Sequence, residues 1–147
     1  MSNNEEIRLK FLHMYDRSMH FGDYGPTEEL CSVAFACTNP NYEIDGISGI
    51  KNSIDSQRNA FEDFHMEIDF SFASDDGVGL SWRLTGRHVN EIYGVPPSGK
   101  RIEAQGLSIH ELADGKSIGG WSAGNVLEKL REAYAEAEAE GSLPSAG

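Results

Sequence analysis

A chain of 147 residues is sized for one domain, since a domain takes roughly 100–200 residues. Its 24 acidic residues outnumber 12 Lys and Arg for a net charge of -12, and no basic run supplies the stripe that nucleic acid needs or the patch that an anionic membrane attracts. With a mean hydropathy of -0.44 and no apolar run near the ~18 residues of a membrane span, the expectation is a soluble globular domain without nucleic-acid or membrane partners.

The start, Met1-Ser2-Asn3-Asn4-Glu5-Glu6, lacks the basic and apolar regions of a signal peptide, so a cytoplasmic location is expected. Cys31 and Cys37 are too few for a disulfide framework and wrongly spaced for a redox pair or zinc knuckle; they read as buried, reduced thiols.

In chain order, Ile7, Phe11, Met14, Tyr15 and Met19 recur at helical steps, with Asn3 and Glu6 as a capping box. After the break Gly22–Pro26, Thr27 reads as the N-cap of a short helix running through Cys31 to Phe35 and ended by Thr38-Asn39-Pro40-Asn41. Tyr42–Asp45 is a short strand, and a third helix starts near Ser48 with Ile47, Ile50, Ile54 and Phe61 on one side. From Phe64 the period becomes two: Phe64, Met66, Ile68, Phe70 and Phe72 form the apolar face of a strand, expected to be core. A three-residue loop, Asp75-Asp76-Gly77 with Gly77 left-handed, would set Phe72, Phe70 and Ile68 against Leu80, Trp82 and Leu84. The return strand runs towards Tyr93, Pro96–Gly99 turns into Arg101–Leu112, Asp114-Gly115 turns into Ser117–Ala123, and a helix covers Val126 to about Ala137. Residues 1–140 read as a single domain and 141–147 as a flexible tail. Helices, an antiparallel meander and a last helix make an α+β domain, its curved sheet wrapped over helices and able to enclose a pocket.

Several motifs fail on context. Gly77-Val78-Gly79 has no third glycine, Gly106–His110 lacks the strand-to-helix turn of a serine-hydrolase elbow, and His13, His20, His65, His88 and His110 include no metal-ligand pair. Neither metal nor cofactor is expected. A constellation remains on the last hairpin. A two-residue Asp114-Gly115 turn sets Ser108 opposite Trp121 and Ala104 opposite Asn125, so that Ser108, His110, Trp121 and Asn125 share one face with small residues between them, the composition of a ligand pocket.

Tyr93–Ile102, Gly106–His110, Asp114-Gly115-Lys116 and Trp121, preceded by Gly49-Ile50-Lys51, Phe61–His65 and Trp82–Gly86, resemble in order and spacing the SnoaL-like polyketide cyclases of the nuclear transport factor 2-like superfamily. The resemblance covers about residues 46 to 130. It implies a cone-shaped α+β barrel, three helices on a curved antiparallel sheet around an apolar pocket plus a C-terminal helix, assembled as a homodimer or homotetramer. It further implies metal-free aldol ring closure, in which a carboxylate takes a proton flanked by carbonyls and nearby donors hold the oxyanion.

The family's carboxylate lies four residues beyond the tryptophan, where this chain has Asn125, and an amide is no general base. His110 aligns with a histidine of the active-site face, and Glu43 or Asp45 stands where relatives carry a first-strand histidine. The candidate catalytic residues are therefore His110, Asn125 and Asp45; Trp121, Ser108, Tyr15 and Phe11 are candidates to contact substrate. Asn125 with Glu128 also fits a helix capping box, and His110 a hydrogen-bonded core histidine. Three functions follow: a cyclase-type enzyme acting next to a carbonyl of a small or medium apolar compound, a non-catalytic pocket for an apolar metabolite, or hydration or epoxide opening on the same fold, which needs Asp45 or Glu43 turned inward. A cavity with no ionisable side chain besides a satisfied His110 would count against the enzyme; a carboxylate beside His110 would count against the pocket.

Overall fold

Helical spacing of apolar residues gives α1 (Asn3–Phe21), which buries Phe11, Met14, Ser18 and Met19. In this computed structural model, which describes residues 2–39 and 42–144, the α1 cap is Ser2 accepting from the Glu5 amide, not the expected Asn3–Glu6 box. α2 (Gly25–Leu30) starts with Pro26 in its first turn. Thr27 lies inside it and is 1 % exposed, so it is no N-cap. The helix expected to run to Phe35 stops at Leu30, because Cys31 is already extended and begins β1 (Cys31–Asn39). β-Branched and aromatic residues such as Val33, Phe35 and Thr38 favour the strand, and burial of Cys31 and Phe35 decides it. Pro40 and Asn41 of the expected turn, and tail residues 145–147, lie outside the described residues.

β2 (Tyr42–Asp45) leads into α3 (Gly46–Ala60), slightly earlier than the expected Ser48, and Phe61 belongs to the next strand rather than to the helix. β3 (Phe61–Ala73), β4 (Gly77–His88), β5 (Arg101–Ala113) and β6 (Lys116–Gly124) form the meander; α4 (Val126–Glu140) closes the chain. β4 ends at His88, short of Tyr93, where Ile92 and Val95 bridge a separate turn. The six-stranded sheet has the order β2-β1-β6-β5-β4-β3. Its pairs are antiparallel except β1 with β6, which run parallel. The sheet is curved, and the architecture is α+β as the composition of elements implied. Its inner face carries Val78, Leu80, Trp82 and Leu84, packed with Phe11, Ile102 and Leu130.

Two bulges alter the expected faces. The first hairpin turns on Asp75 and Asp76 alone, Ser74 donating to the Gly77 carbonyl, and Gly77 is not left-handed. Ile68 pairs with Trp82 instead of the expected Leu84, which Met66 takes, and an extra residue, Asp69, intervenes before Phe70 pairs with Ser81 and Phe72 with Gly79. A one-residue insertion exchanges the faces of all that follows. Phe70 and Phe72 are therefore outside, 66 % and 54 % exposed, instead of in the core.

The last hairpin has the expected two-residue turn, with Asp114 and Gly115 both at positive φ as the primed turn requires. Ala113 pairs with Lys116 and Leu112 with Ser117, but Glu111 pairs with Gly119, leaving Ile118 as an extra residue. Beyond it Ser108 faces Ser122 and Ile109 faces Trp121, so Trp121 sits on the opposite face of the sheet from Ser108 and His110. Gly119 and Gly120, at φ 118° and 148°, make this possible. A Cβ on Gly119 would collide with the Ala36 carbonyl, and one on Gly120 with the Ile109 carbonyl. Gly119→Ala is accordingly expected to lose about 2–4 kcal/mol in denaturant unfolding, whereas Gly115→Asn, at an open turn position that tolerates positive φ, should cost under about 1 kcal/mol. Equal losses would contradict this account of the bulge.

Candidate functional site

α1, α2 and α3 lie over the inner face of the sheet and leave a cavity of about 130 Å³. Met14, Met19, Ile44, Ile50 and Ile54 supply apolar wall, while Tyr15, Thr27, Gln57, Ser108, His110 and Ser122 supply polar atoms. No Asp or Glu lines it among the described residues. No group of three His, Cys, Asp or Glu among them is placed to hold a metal ion.

His110 is at the inner end of β5, 8 % exposed, and both ring nitrogens are engaged. Nε2 lies 2.8 Å from the Tyr15 hydroxyl and Nδ1 2.8 Å from Ser117 Oγ, which also accepts the Gly119 amide. Phe11, one helical turn before Tyr15, packs its ring 5.1 Å from the imidazole, and Phe35 packs at 6.3 Å. Two tautomers satisfy this geometry: Nδ1–H donating to Ser117 with Tyr15 donating to Nε2, or Nε2–H donating to Tyr15 with Ser117 donating to Nδ1. Protonation satisfies it less well, since burial pushes the imidazole pKa down to about 4.

Of the sequence-derived candidates, the fold gathers His110, Tyr15 and Ser108 at the cavity, with Phe11 buried behind His110 rather than in the lining. Trp121 borders the cavity from the other face of β6 and is 55 % exposed. Asn125 lies outside the lining: its Oδ1 accepts the Gln105 amide at 2.8 Å, its N–H donates to the Gln105 carbonyl, and it makes no side-chain cap to α4. The expected Asn125–Glu128 capping box is therefore replaced by an extension of the β5–β6 ladder. Glu43 and Asp45 are exposed, with Ile44 between them turned to the cavity, as strand alternation requires.

The ring inside the pocket is Trp82. Its indole Nε1–H donates to Ser108 Oγ at 3.1 Å, and Ser108 meets Ser122 Oγ at 3.1 Å. A Cβ at Gly106 or Gly124 would strike that indole, so the small residues of the hairpin make room for Trp82. Ser117, Ser122 and Gln57 were not singled out by the sequence, and Thr27 only as a helix cap. The extra Ile118 hides Ser122, which lies beyond it, while Ser117 keeps its expected pairing with Leu112; nothing in periodicity marks Gln57 or Thr27 as cavity residues.

The buried imidazole has a thermodynamic consequence. The folded chain keeps His110 unprotonated until about pH 4, while an unfolded histidine takes up its proton near pH 6.5. Between these values the unfolded state binds more protons, so stability rises with pH; the contribution is complete above that window and lost as pH falls through it, roughly 3 kcal/mol in all. His88, also buried and lowered by desolvation, acts with the same sign. Replacing His110 with Gln is expected to flatten unfolding free energy against pH between 7 and 4; an unchanged slope would contradict the burial argument.

The sequence profile of SnoaL-like polyketide cyclases matches residues 10–133. No curated protein sequence matches the chain significantly. Among solved structures, AclR of Streptomyces galilaeus, a candidate hydroxylase, superposes with a TM-score of 0.73 at 21 % identity, covering 99 % of this chain and 91 % of AclR. A candidate SnoaL-like polyketide cyclase of Jannaschia sp. CCS1 gives 0.74 at 20 % identity, covering 92 % and 99 %. A candidate polyketide cyclase of Acidithiobacillus ferrooxidans gives 0.71 at 23 % identity, covering 90 % and 99 %. These likenesses are of fold, and they agree with the sheet and helices described above. With the profile spanning most of its length, the chain belongs to the SnoaL-like polyketide cyclase family.

Proposed function

We propose that the cavity binds a small apolar molecule carrying a carbonyl oxygen and holds it without closing a ring. The observation that carries this reading is the lining: acid-free among the described residues, around a histidine with both nitrogens engaged. Aldol closure needs a base for the carbon acid. Asn125 is an amide bonded to the Gln105 backbone, Asp45 and Glu43 are exposed, and an imidazole with a pKa near 4 is a poor proton acceptor at neutral pH. The volume, about 130 Å³, is close to the roughly 150 Å³ apolar cavity that accommodates one benzene ring. It suits a single ring or a short branched chain better than a fused polycycle. The polar groups of Tyr15, Ser108 and Ser122 on otherwise apolar walls suit a ligand with one oxygen function.

A second reading, proton transfer through the Tyr15–His110 pair, is favoured by their 2.8 Å contact at the cavity wall. The two are separated by one pair of measurements. Acetophenone is expected to bind saturably with a Kd on the order of 0.1–1 mM, typical of a ligand of its size. In deuterium oxide the protein should not accelerate exchange of the central methylene protons of 2,4-pentanedione beyond the buffer rate. Catalysed exchange that disappears in His110→Gln and Tyr15→Phe would replace the binding reading with the catalytic one.

A further inference from the structure

Thr27 is 1 % exposed, lines the cavity, and its hydroxyl has no hydrogen-bond partner among the described residues. The contrast with Ser18 is informative. That equally buried hydroxyl, also on the cavity wall, bonds back to the Met14 carbonyl at 2.8 Å inside α1. Thr27 makes no such bond: four residues earlier the chain is at Asp23, before α2 begins, and the Tyr24 carbonyl three residues back accepts the Glu28 amide instead. A buried hydroxyl without a partner is destabilising relative to an apolar isostere, and valine would fill the same volume. The position therefore carries a polar group that the other described residues leave unused.

Its backbone is linked to His110 through β1 and β6. The Thr27 carbonyl accepts the Cys31 amide, Cys31 pairs with Ser117 across β1 and β6, and Ser117 Oγ meets His110 Nδ1. From the unpaired hydroxyl, its burial and this linkage, we infer that Thr27 is a ligand-anchoring residue, donating its O–H to the carbonyl oxygen of an apolar ketone or aldehyde whose hydrocarbon part lies against Met14, Ile50 and Ile54. This rests on the reading of the cavity as a carbonyl-ligand site and adds the residue that selects for the oxygen. A hydroxyl donor serves a carbonyl and gains nothing from the hydrocarbon of the same shape.

The test compares acetophenone with ethylbenzene, which share a ring and differ mainly in the oxygen, by ligand-observed NMR titration of the full chain. Wild type is expected to prefer acetophenone, and Thr27→Val to lower that preference about five- to tenfold, the worth of one hydrogen bond, while binding ethylbenzene as well as wild type or better. Thr27→Ser, which keeps the hydroxyl, should retain the preference. Both ligands are read on one preparation, so partial loss of folded protein cancels in the ratio; Thr27→Ala makes the same comparison if valine prevents folding. Binding of both ligands by wild type with a ratio that Thr27→Val leaves unchanged would overturn the anchor and leave the pocket reading standing, as expected of an idle or merely hydrated hydroxyl. Failure of wild type to bind either ligand would overturn the pocket reading and the anchor together.

Discussion

One extra residue in β6, Ile118, sets the register on which the cavity depends. Every side chain beyond it changes face, so Ser122 rather than Trp121 meets Ser108, and Ser117 before it remains placed to reach His110. The two glycines that follow let the strand approach carbonyls on both sides, Ala36 of β1 and Ile109 of β5. The parallel β1–β6 pair rests on the same approach, because Ala36 and Cys37 pair with Gly119 and Gly120. A bulge that re-aims side chains beside a pocket is a common use of this device.

The consequence for chemistry runs through His110. It is enclosed by Phe11 and Phe35 and braced by Tyr15 and Ser117, so its environment is apolar around the ring and polar only at the two nitrogens. Burial without a carboxylate neighbour favours the neutral form. Such a histidine fixes the relative positions of α1, β5 and β6, since one side chain bonds residues from two of these elements and belongs to the third. Its structural value needs no proton transfer, whereas a catalytic base needs a pKa near the working pH.

Much of the fold was legible because it rests on local periodicity. The stripe of α1, the alternation of β4 and β5 and the Asp114-Gly115 turn all appear where spacing and turn chemistry put them. What was not legible depends on single-residue insertions and on tertiary burial. Asp69 and Ile118 carry no compositional sign of being unpaired, yet they move Phe70, Phe72 and Trp121 out of the core face. Cys31–Phe35 is short enough to read as either a turn of helix or half a strand, and it becomes β1 through pairing with β6, distant in sequence. In the site, Tyr15 and His110 come from periodic elements and were singled out; Trp82, Ser122 and Thr27 become cavity residues, and Ser117 the partner of His110, only through contacts between elements.

Asn125, which the resemblance sets at the carboxylate position, stands apart from the cavity. Four residues beyond Trp121, it sits where β6 gives way to α4, and its side-chain oxygen completes the edge of β5 by accepting the Gln105 amide. A carboxylate there could accept the same amide, and that bond would favour the ionised, less basic form. An acid at 125 would therefore not by itself put a carboxylate in the cavity, since position 125 lies outside its lining. A carboxylate on the inner face beside Ser108 and Ser122 would compete for the space that the Trp82 indole and its hydrogen bond occupy. The ring that shapes the cavity thus also limits where an acid could stand in it.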